Sequence, residues 1–235
     1  MPVPRTATRR QGGRRRGWAA IVLLVALAGL LVAVAPSGAS AAAPCPTTGG
    51  TPITSQLSNG TLKIGPVARA SETSGSGCGL LIIDDQGIRT VLPKDNLTFN
   101  PFTLHVGILS VPTTVTAVSD FGGPVELLPD NQIGSSLTGS VTSTASILGF
   151  KCTIGPFTPT LTTGTSGALT GTPFTGQPDG SLGGKLVAND FAVPAVRPSL
   201  RCPAPIAALV NLTTHLPQRA GGSSITYDAS LRVGG

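Results

Sequence analysis

Apolar and polar residues alternate in short segments along most of the chain, and Gly, Pro, Asn or Asp residues separate these segments. A period of two is typical of half-buried β-strands joined by tight turns. The segments that this pattern predicts as extended are residues 80–83, 88–92, 97–99, 103–109, 113–118, 125–128, 137–147, 150–154, 158–163, 185–193 and 224–233.

Two turns in this pattern predict β-hairpins. The dipeptide Asn59-Gly60 supplies the positive φ angles of a two-residue hairpin turn, which would set Leu57 opposite Leu62. Residues 84–87, Asp-Asp-Gln-Gly, connect two apolar segments in the same way. Both sites therefore predict antiparallel neighbours.

One segment departs from the strand pattern. Residues 205–215 begin with a Pro, which is tolerated in the first turn of a helix. The residues that would share one helical face are Ile206, Leu209, Val210 and Thr213. We expect a short helix here that covers one end of the sheet. The predicted fold is all-β: an antiparallel β-sandwich or barrel with one short C-terminal helix.

The first 41 residues have the organisation of a secretory signal-peptide helix. Six Arg residues precede an apolar run at residues 18–35, and Ala39-Ser40-Ala41 provides the small residues of a cleavage site. The run is also long enough to span a bilayer, so an uncleaved anchor is the alternative. The adjacent Arg residues before this run leave open whether export uses the Sec or the twin-arginine pathway. Cys45 lacks the sequence context of a lipoprotein cysteine. We expect a secreted or cell-envelope protein.

Removal of residues 1–41 changes the charge of the protein. Six of the 16 Lys and Arg residues lie in this segment and all ten Asp and Glu residues follow it, so residues 42–235 have a net charge of zero. Nucleic-acid binding and attachment to an anionic membrane both lose their electrostatic support, a clustered basic surface. Membrane contact is expected only through the signal segment before its cleavage. The only Trp, Trp18, also lies in this segment, so the core of residues 42–235 must be mainly aliphatic.

The four cysteines predict two disulfide bonds. Cys45, Cys78, Cys152 and Cys202 are even in number and none has the spacing of a metal site. Three pairings are possible, and we favour the sequential one, Cys45 with Cys78 and Cys152 with Cys202, which closes two separate loops. Residues 42–235 are expected to form one β-rich domain, with a possible subdivision near residues 129–136.

No arrangement of residues predicts catalysis, a cofactor or a metal. His105 and His215 are the only candidates for a histidine base, and each fits a structural or surface position. Residues 164–168 begin like a nucleophile elbow around Ser166, but Ala168 replaces its second Gly and no α/β pattern surrounds it. The adjacent carboxylates of residues 84–85 fall in a predicted turn. We expect a protein that is not an enzyme.

Part of the last 90 or so residues is familiar. The sequences of residues 152–156, 160–174, 189–194 and 202–203 resemble those of uncharacterised secreted proteins of high-GC Gram-positive bacteria. The resemblance implies an exported β-rich bacterial protein. It implies no catalytic or binding residues.

Two functions follow from these expectations. The first is a non-enzymatic secreted or cell-envelope interaction module, whose partner is an unknown envelope protein or polymer. The second is an extracytoplasmic carrier of an apolar, lipid-like molecule, since an aliphatic sandwich or barrel can hold such a ligand in its interior. A secreted hydrolase would require His105 or His215 to meet a carboxylate in a cleft.

Overall fold

A computed structural model describes residues 43–234, which are mainly β-strands. The strands are β1 (Thr51–Ile64), β2 (Ala68–Asp84), β3 (Gly87–Leu92), β4 (Leu97–Phe99), β5 (Phe102–Val106), β6 (Leu109–Ala117), β7 (Phe121–Leu128), β8 (Gln132–Thr138), β9 (Val141–Ile147), β10 (Phe150–Phe157), β11 (Thr160–Thr162), β12 (Thr165–Ser166), β13 (Leu169–Thr170), β14 (Thr172–Gly176), β15 (Leu182–Ala188) and β16 (Ser223–Val233). One helix, α1 (Ala204–Thr214), lies between β15 and β16. The predicted all-β class with a single C-terminal helix is confirmed.

Eight antiparallel strands close into a barrel. Their order around the barrel is β1, β16, β15, β11, β8, β7, β3 and β2, and β2 pairs with β1 to complete the circuit. Strand β14 also pairs with β15 and β8, and β4 pairs with the middle of β2. Closure leaves no unpaired edge in this circuit, and it decides between the sandwich and the barrel that the sequence left open.

A second group of strands, the side sheet, extends from the beginning of β2. It consists of β5, β6, β9 and β10 in that order, and the pair Ala68 and Val106 joins it to β2. Helix α1 packs on this sheet, where Val210 shares a depression with Leu104, Ala145 and Ile154. The helix therefore covers the side sheet, and residues 42–235 form a compact unit by themselves.

The predicted hairpin at Asn59-Gly60 is wrong. Strand β1 runs through these residues without turning, and its register against both β16 and β2 shifts there. Asn59 has a φ of 48°, and a Cβ on Gly60 would collide with the Tyr227 ring. A positive φ occurs in β-bulges as well as in turns. The register shifts identify a β-bulge here, and a β-bulge bends its strand. The second predicted hairpin, at residues 84–87, is confirmed.

Alternate glycines on β2 make room inside the barrel. Gly75, Gly77 and Gly79 are buried, and a Cβ on Gly77 would lie 2.6 Å from the side chain of Leu97. Strand β4 pairs with β2 at this place, so Leu97 and Phe99 contribute to the lining of the barrel interior. Larger residues on β2 would displace them.

Helix α1 matches the predicted segment within one residue at each end, but its buried face differs from the prediction. Its buried residues are Ala207, Val210 and Thr214, whereas Leu209 is 43 % exposed. Val210 is common to the predicted and the observed face, and Leu209 and Thr213 line the depression between the helix and the side sheet. Thr214 Oγ1 also donates a hydrogen bond of 2.6 Å to the carbonyl of Val210.

Several strands differ from the pattern that predicted them. Residues 137–147 belong to two strands, β8 and β9, because the chain passes from the barrel to the side sheet at Gly139-Ser140. Residues 132–138, near the possible subdivision, form β8, one of the eight strands of the barrel. Strand β14 and the first half of β2 were not predicted. Their many Gly, Ser, Thr and Pro residues give a weak apolar pattern.

Both disulfides have the sequential pairing. Cys45 is bonded to Cys78 on β2, and Cys152 on β10 is bonded to Cys202, two residues before α1. The first disulfide attaches the beginning of the described chain to the sheet, and the second attaches the segment before α1 to it. Two disulfides indicate an oxidising environment. The expected signal-peptide helix, residues 1–41, lies outside the described residues.

We predict that Phe174→Ala lowers the free energy of unfolding by about 3–5 kcal/mol, because it opens a cavity in the closed barrel. Phe174 is 1 % exposed and lines the barrel interior. The measurement is urea unfolding of the oxidised protein. Leu127→Ala is the control, since Leu127 is 75 % exposed and its truncation should cost less than about 0.5 kcal/mol. Equal losses in the two variants would contradict the packing described here.

Candidate functional site

The barrel interior is apolar and nearly filled. Side chains from β1, β3, β7, β8, β11, β15 and β16 line it, together with those of β4 and β14. The free volume among them is about 40 Å³. Pockets that hold small organic ligands measure about 300–1,000 Å³, and a single water needs about 10–15 Å³. This interior therefore has space for a few water-sized molecules at most.

A groove on the outer surface of the barrel offers more space. It follows β8 between β7 on one side and β11 and β14 on the other, and its free volume is about 220 Å³. The residues that line it are Pro124, Glu126, Leu128, Gly134, Ser135, Ser136, Thr162, Thr163, Gly164 and Pro173. We call it the β8 groove. Its position was not predicted, because it depends on the partners of β8 in the closed barrel.

The geometry of the β8 groove comes from an irregular junction between β8 and β11. Thr163 donates its backbone N–H to the carbonyl of Ser135 at 3.0 Å, and its Oγ1 accepts the Ser135 N–H at 2.9 Å. Strand β8 then continues beside β14, where Ile133 lies opposite Phe174. Because Gly134 has no side chain, the groove between these contacts remains open.

The chemistry of the β8 groove is neutral except for one carboxylate. Its polar side chains are hydroxyls and Glu126, and Gly and Pro expose backbone groups and flat apolar surface beside them. Hydroxyls and backbone amides form hydrogen bonds with uncharged ligands. The groove therefore suits an extended, uncharged chain, such as a polypeptide segment or a polysaccharide, better than a phosphate-rich one.

The two histidines lie apart from the β8 groove. His105 is exposed on β5, where its Nδ1 is 3.3 Å from Ser110 Oγ. His215 terminates α1 in a left-handed conformation, and its carbonyl accepts a hydrogen bond from Gln218. Among the described residues, neither histidine forms an ion pair with a carboxylate.

The Ser166 hydroxyl supports a turn. Its Oγ accepts the backbone N–H groups of Asn189 at 2.8 Å and Asp190 at 3.2 Å, and Ser166 is 9 % exposed. The side chain of Asn189 holds the same loop, because its Oδ1 accepts the N–H of Ala168 and its Nδ2 donates to the carbonyl of Ser223. These contacts account for Ser166 without a catalytic role.

Asp84, the first of the paired carboxylates, also has local partners. Asp84 accepts the N–H of Gln86 at 3.0 Å and forms an ion pair of 2.9 Å with Arg89, so it organises the β2–β3 turn.

Within residues 43–234 no three His, Cys, Asp or Glu side chains converge as a metal site would require. Hydrogen bonds from Ser181 lower the pKa of Asp179, and burial raises the pKa of Tyr227. Both shifts have structural causes outside the β8 groove.

Comparisons with models of protein families, with curated proteins and with solved structures gave no match to this chain. No helix within residues 43–234 combines the length and the apolar character needed to cross a membrane. The candidate site thus depends on the geometry of this chain alone.

We predict that Ser166→Ala destabilises the protein by about 1–3 kcal/mol, because two backbone N–H groups lose their acceptor. Urea unfolding of the oxidised protein measures the loss. Thr165→Ala is the matched control, since Thr165 is the exposed neighbour in the same short strand. An unchanged stability in Ser166→Ala would show that its hydroxyl does not support the loop.

Proposed function

We propose that this chain is an exported, non-enzymatic interaction module of the bacterial cell envelope that binds an envelope protein or polymer in the β8 groove. The observation that carries the proposal is the contrast between a filled interior of about 40 Å³ and an open outer groove of about 220 Å³. The leader at residues 1–41 and the two disulfides support export.

The contrast in volume favours this function over that of an apolar carrier. The barrel has the apolar lining that a carrier requires, but Phe174, Phe99 and Leu97 occupy the space that a ligand would need. A lipid chain would have to displace these side chains. The local roles of Ser166 and Asp84 support the non-enzymatic part of the proposal.

Native mass spectrometry of the protein, purified from the medium of its producer, tests the choice between module and carrier. We expect a native mass equal to that of the bare chain, and reduction should add about 4 Da for two disulfides. Extra mass that denaturation removes would contradict the interaction module and identify an apolar cargo. The denatured mass also tests cleavage after Ala41.

We predict that Gly134→Val weakens attachment to intact producer cells and to their isolated cell-wall polymer about tenfold or more, because the new side chain occupies part of a groove of only about 220 Å³. A Cβ on Gly134 meets its nearest neighbour, the side chain of Leu128, at 3.4 Å, which is an ordinary van der Waals contact. The measurement is the bound fraction of labelled protein after sedimentation.

Gly176→Val is the matched control for this substitution. Gly176 also lies in a strand, β14, and a Cβ there has no neighbour within 4 Å. Its attachment should equal that of the wild type, and melting curves should show both variants folded. Equal attachment of Gly134→Val and Gly176→Val would overturn the assignment of the β8 groove.

A further inference from the structure

Two hairpins of the side sheet carry aliphatic side chains at their tips. The β5–β6 hairpin turns at Gly107-Ile108, and the β9–β10 hairpin turns at Leu148-Gly149. Ile108 is 101 % exposed and Leu148 is 79 % exposed. Turn tips usually carry Gly, Asn, Asp or Ser. These two residues therefore place apolar surface in water where polar residues would suffice.

The backbone conformation of Leu148 makes an exposed Leu at this position more unusual. Its φ is 50°, in the left-handed region that favours Gly and Asn. A Leu here has an unfavourable backbone conformation, and its exposed side chain gains no compensating burial within the domain. Contact with something outside the domain would provide that burial.

The fold brings these tips to one end of the molecule. Leu109, Ile147 and Leu209 line the same depression, so the two hairpins and α1 meet there. Ala68 lies opposite Val106, which sets the β1–β2 turn beside the β5–β6 turn. The exposed apolar residues at this end, which we call the apolar tips, are Val67, Ile108, Leu109, Leu148 and Phe150.

A further aliphatic residue joins the apolar tips from the segment before α1. Lys151 donates its backbone N–H to the carbonyl of Arg201 at 2.9 Å, which holds residues 199–202 beside the beginning of β10. Leu200 in this segment is 103 % exposed. The apolar surface therefore extends across three turns and this segment.

Basic residues accompany the apolar tips without acidic ones. The elements that form this part of the domain, residues 61–71, 97–119, 141–157 and 191–218, contain no Asp or Glu. Their basic residues are Lys63, Arg69, Lys151, Arg197 and Arg201. None of these five forms an ion pair within the described part of the chain. The nearest acidic residues in sequence are Glu72, Asp120 and Asp190, each directly next to the end of one of these segments.

We propose that this end of the domain docks on an anionic lipid membrane, with the apolar tips inserted at the boundary between headgroups and acyl chains and the basic residues against lipid phosphates. Charge complementarity favours a negatively charged surface, to which Lys and Arg residues add attraction. Val67, Ile108 and Leu148 lie in turns, and Leu109 and Phe150 begin the strands that follow two of them. Protein interfaces usually centre on Trp, Tyr and Arg in packed pockets, and the described chain has no Trp and a buried Tyr227.

The test uses vesicles and the form of the protein that lacks residues 1–41, since residues 42–235 form a compact unit and the apolar run at residues 18–35 would itself bind lipid. Vesicles of phosphatidylglycerol and phosphatidylcholine in equal parts are compared with phosphatidylcholine alone by co-sedimentation. We expect binding to the anionic vesicles only, weakened by salt because charge screening reduces the attraction.

Leu148→Asn should reduce this binding about tenfold or more, because a large aliphatic side chain no longer enters the membrane. Asn accepts a positive φ more readily than Leu, so the melting temperature should equal or exceed that of the wild type. Leu127→Asn is the control. Leu127 is 75 % exposed and follows Glu126 in the sequence. It lies on β7 near the β2–β3 turn, since Val125 of β7 lies opposite Ile88. This variant should bind as the wild type does.

Two results would overturn the proposal. One is failure of the wild type to bind anionic vesicles. If the wild type is then a dimer that Leu148→Asn dissociates, the apolar tips bind a second copy of the chain. The other is an equal loss in Leu127→Asn and Leu148→Asn, which would make the binding nonspecific. Neither result bears on the β8 groove, whose test uses Gly134.

Discussion

The bend in the β1–β2 ribbon is the feature on which the rest of the structure depends. The two strands pair along most of their length, yet one end of the ribbon belongs to the barrel and the other carries the side sheet. The left-handed residues Asn59 and Glu72, with φ values of 48° and 59°, lie on the two strands where the register shifts. Bulges increase twist and bend a strand, so both sheets share one ribbon.

The bend has a consequence for the core. A small barrel must fill its interior with side chains, and an eight-stranded barrel has just enough space for them. Here β2 contributes alternate glycines, and Leu97 and Phe99 of β4 fill the space that the missing side chains leave. The same Phe99 also borders the region between the barrel and the side sheet, where Tyr227 and Phe157 pack. One continuous core therefore unites both parts, with little volume left for a ligand.

The sequence predicted the fold class, the helix limits, the second hairpin and the disulfide pairing, because each depends on local pattern or on chain separation. It failed at Asn59-Gly60 because a turn and a bulge require the same positive φ, and only the partner strand decides between them. The helix face was predicted only in part: spacing gives the faces of α1, but contacts with the sheet bury Ala207 and Thr214 beside the expected Val210. The β8 groove had no local signal at all.

Net charge shows most clearly what a linear sequence conceals. Residues 42–235 have as many basic as acidic residues, which alone gives no reason to expect attraction to a charged surface. A total of zero, however, says nothing about arrangement. Residues 61–71, 97–119, 141–157 and 191–218 are distant in sequence, and the ribbon, the side sheet and α1 bring them into one part of the domain. Attraction at close range depends on the local charge within about a Debye length, roughly 10 Å at 0.1 M salt, and not on the sum over the molecule.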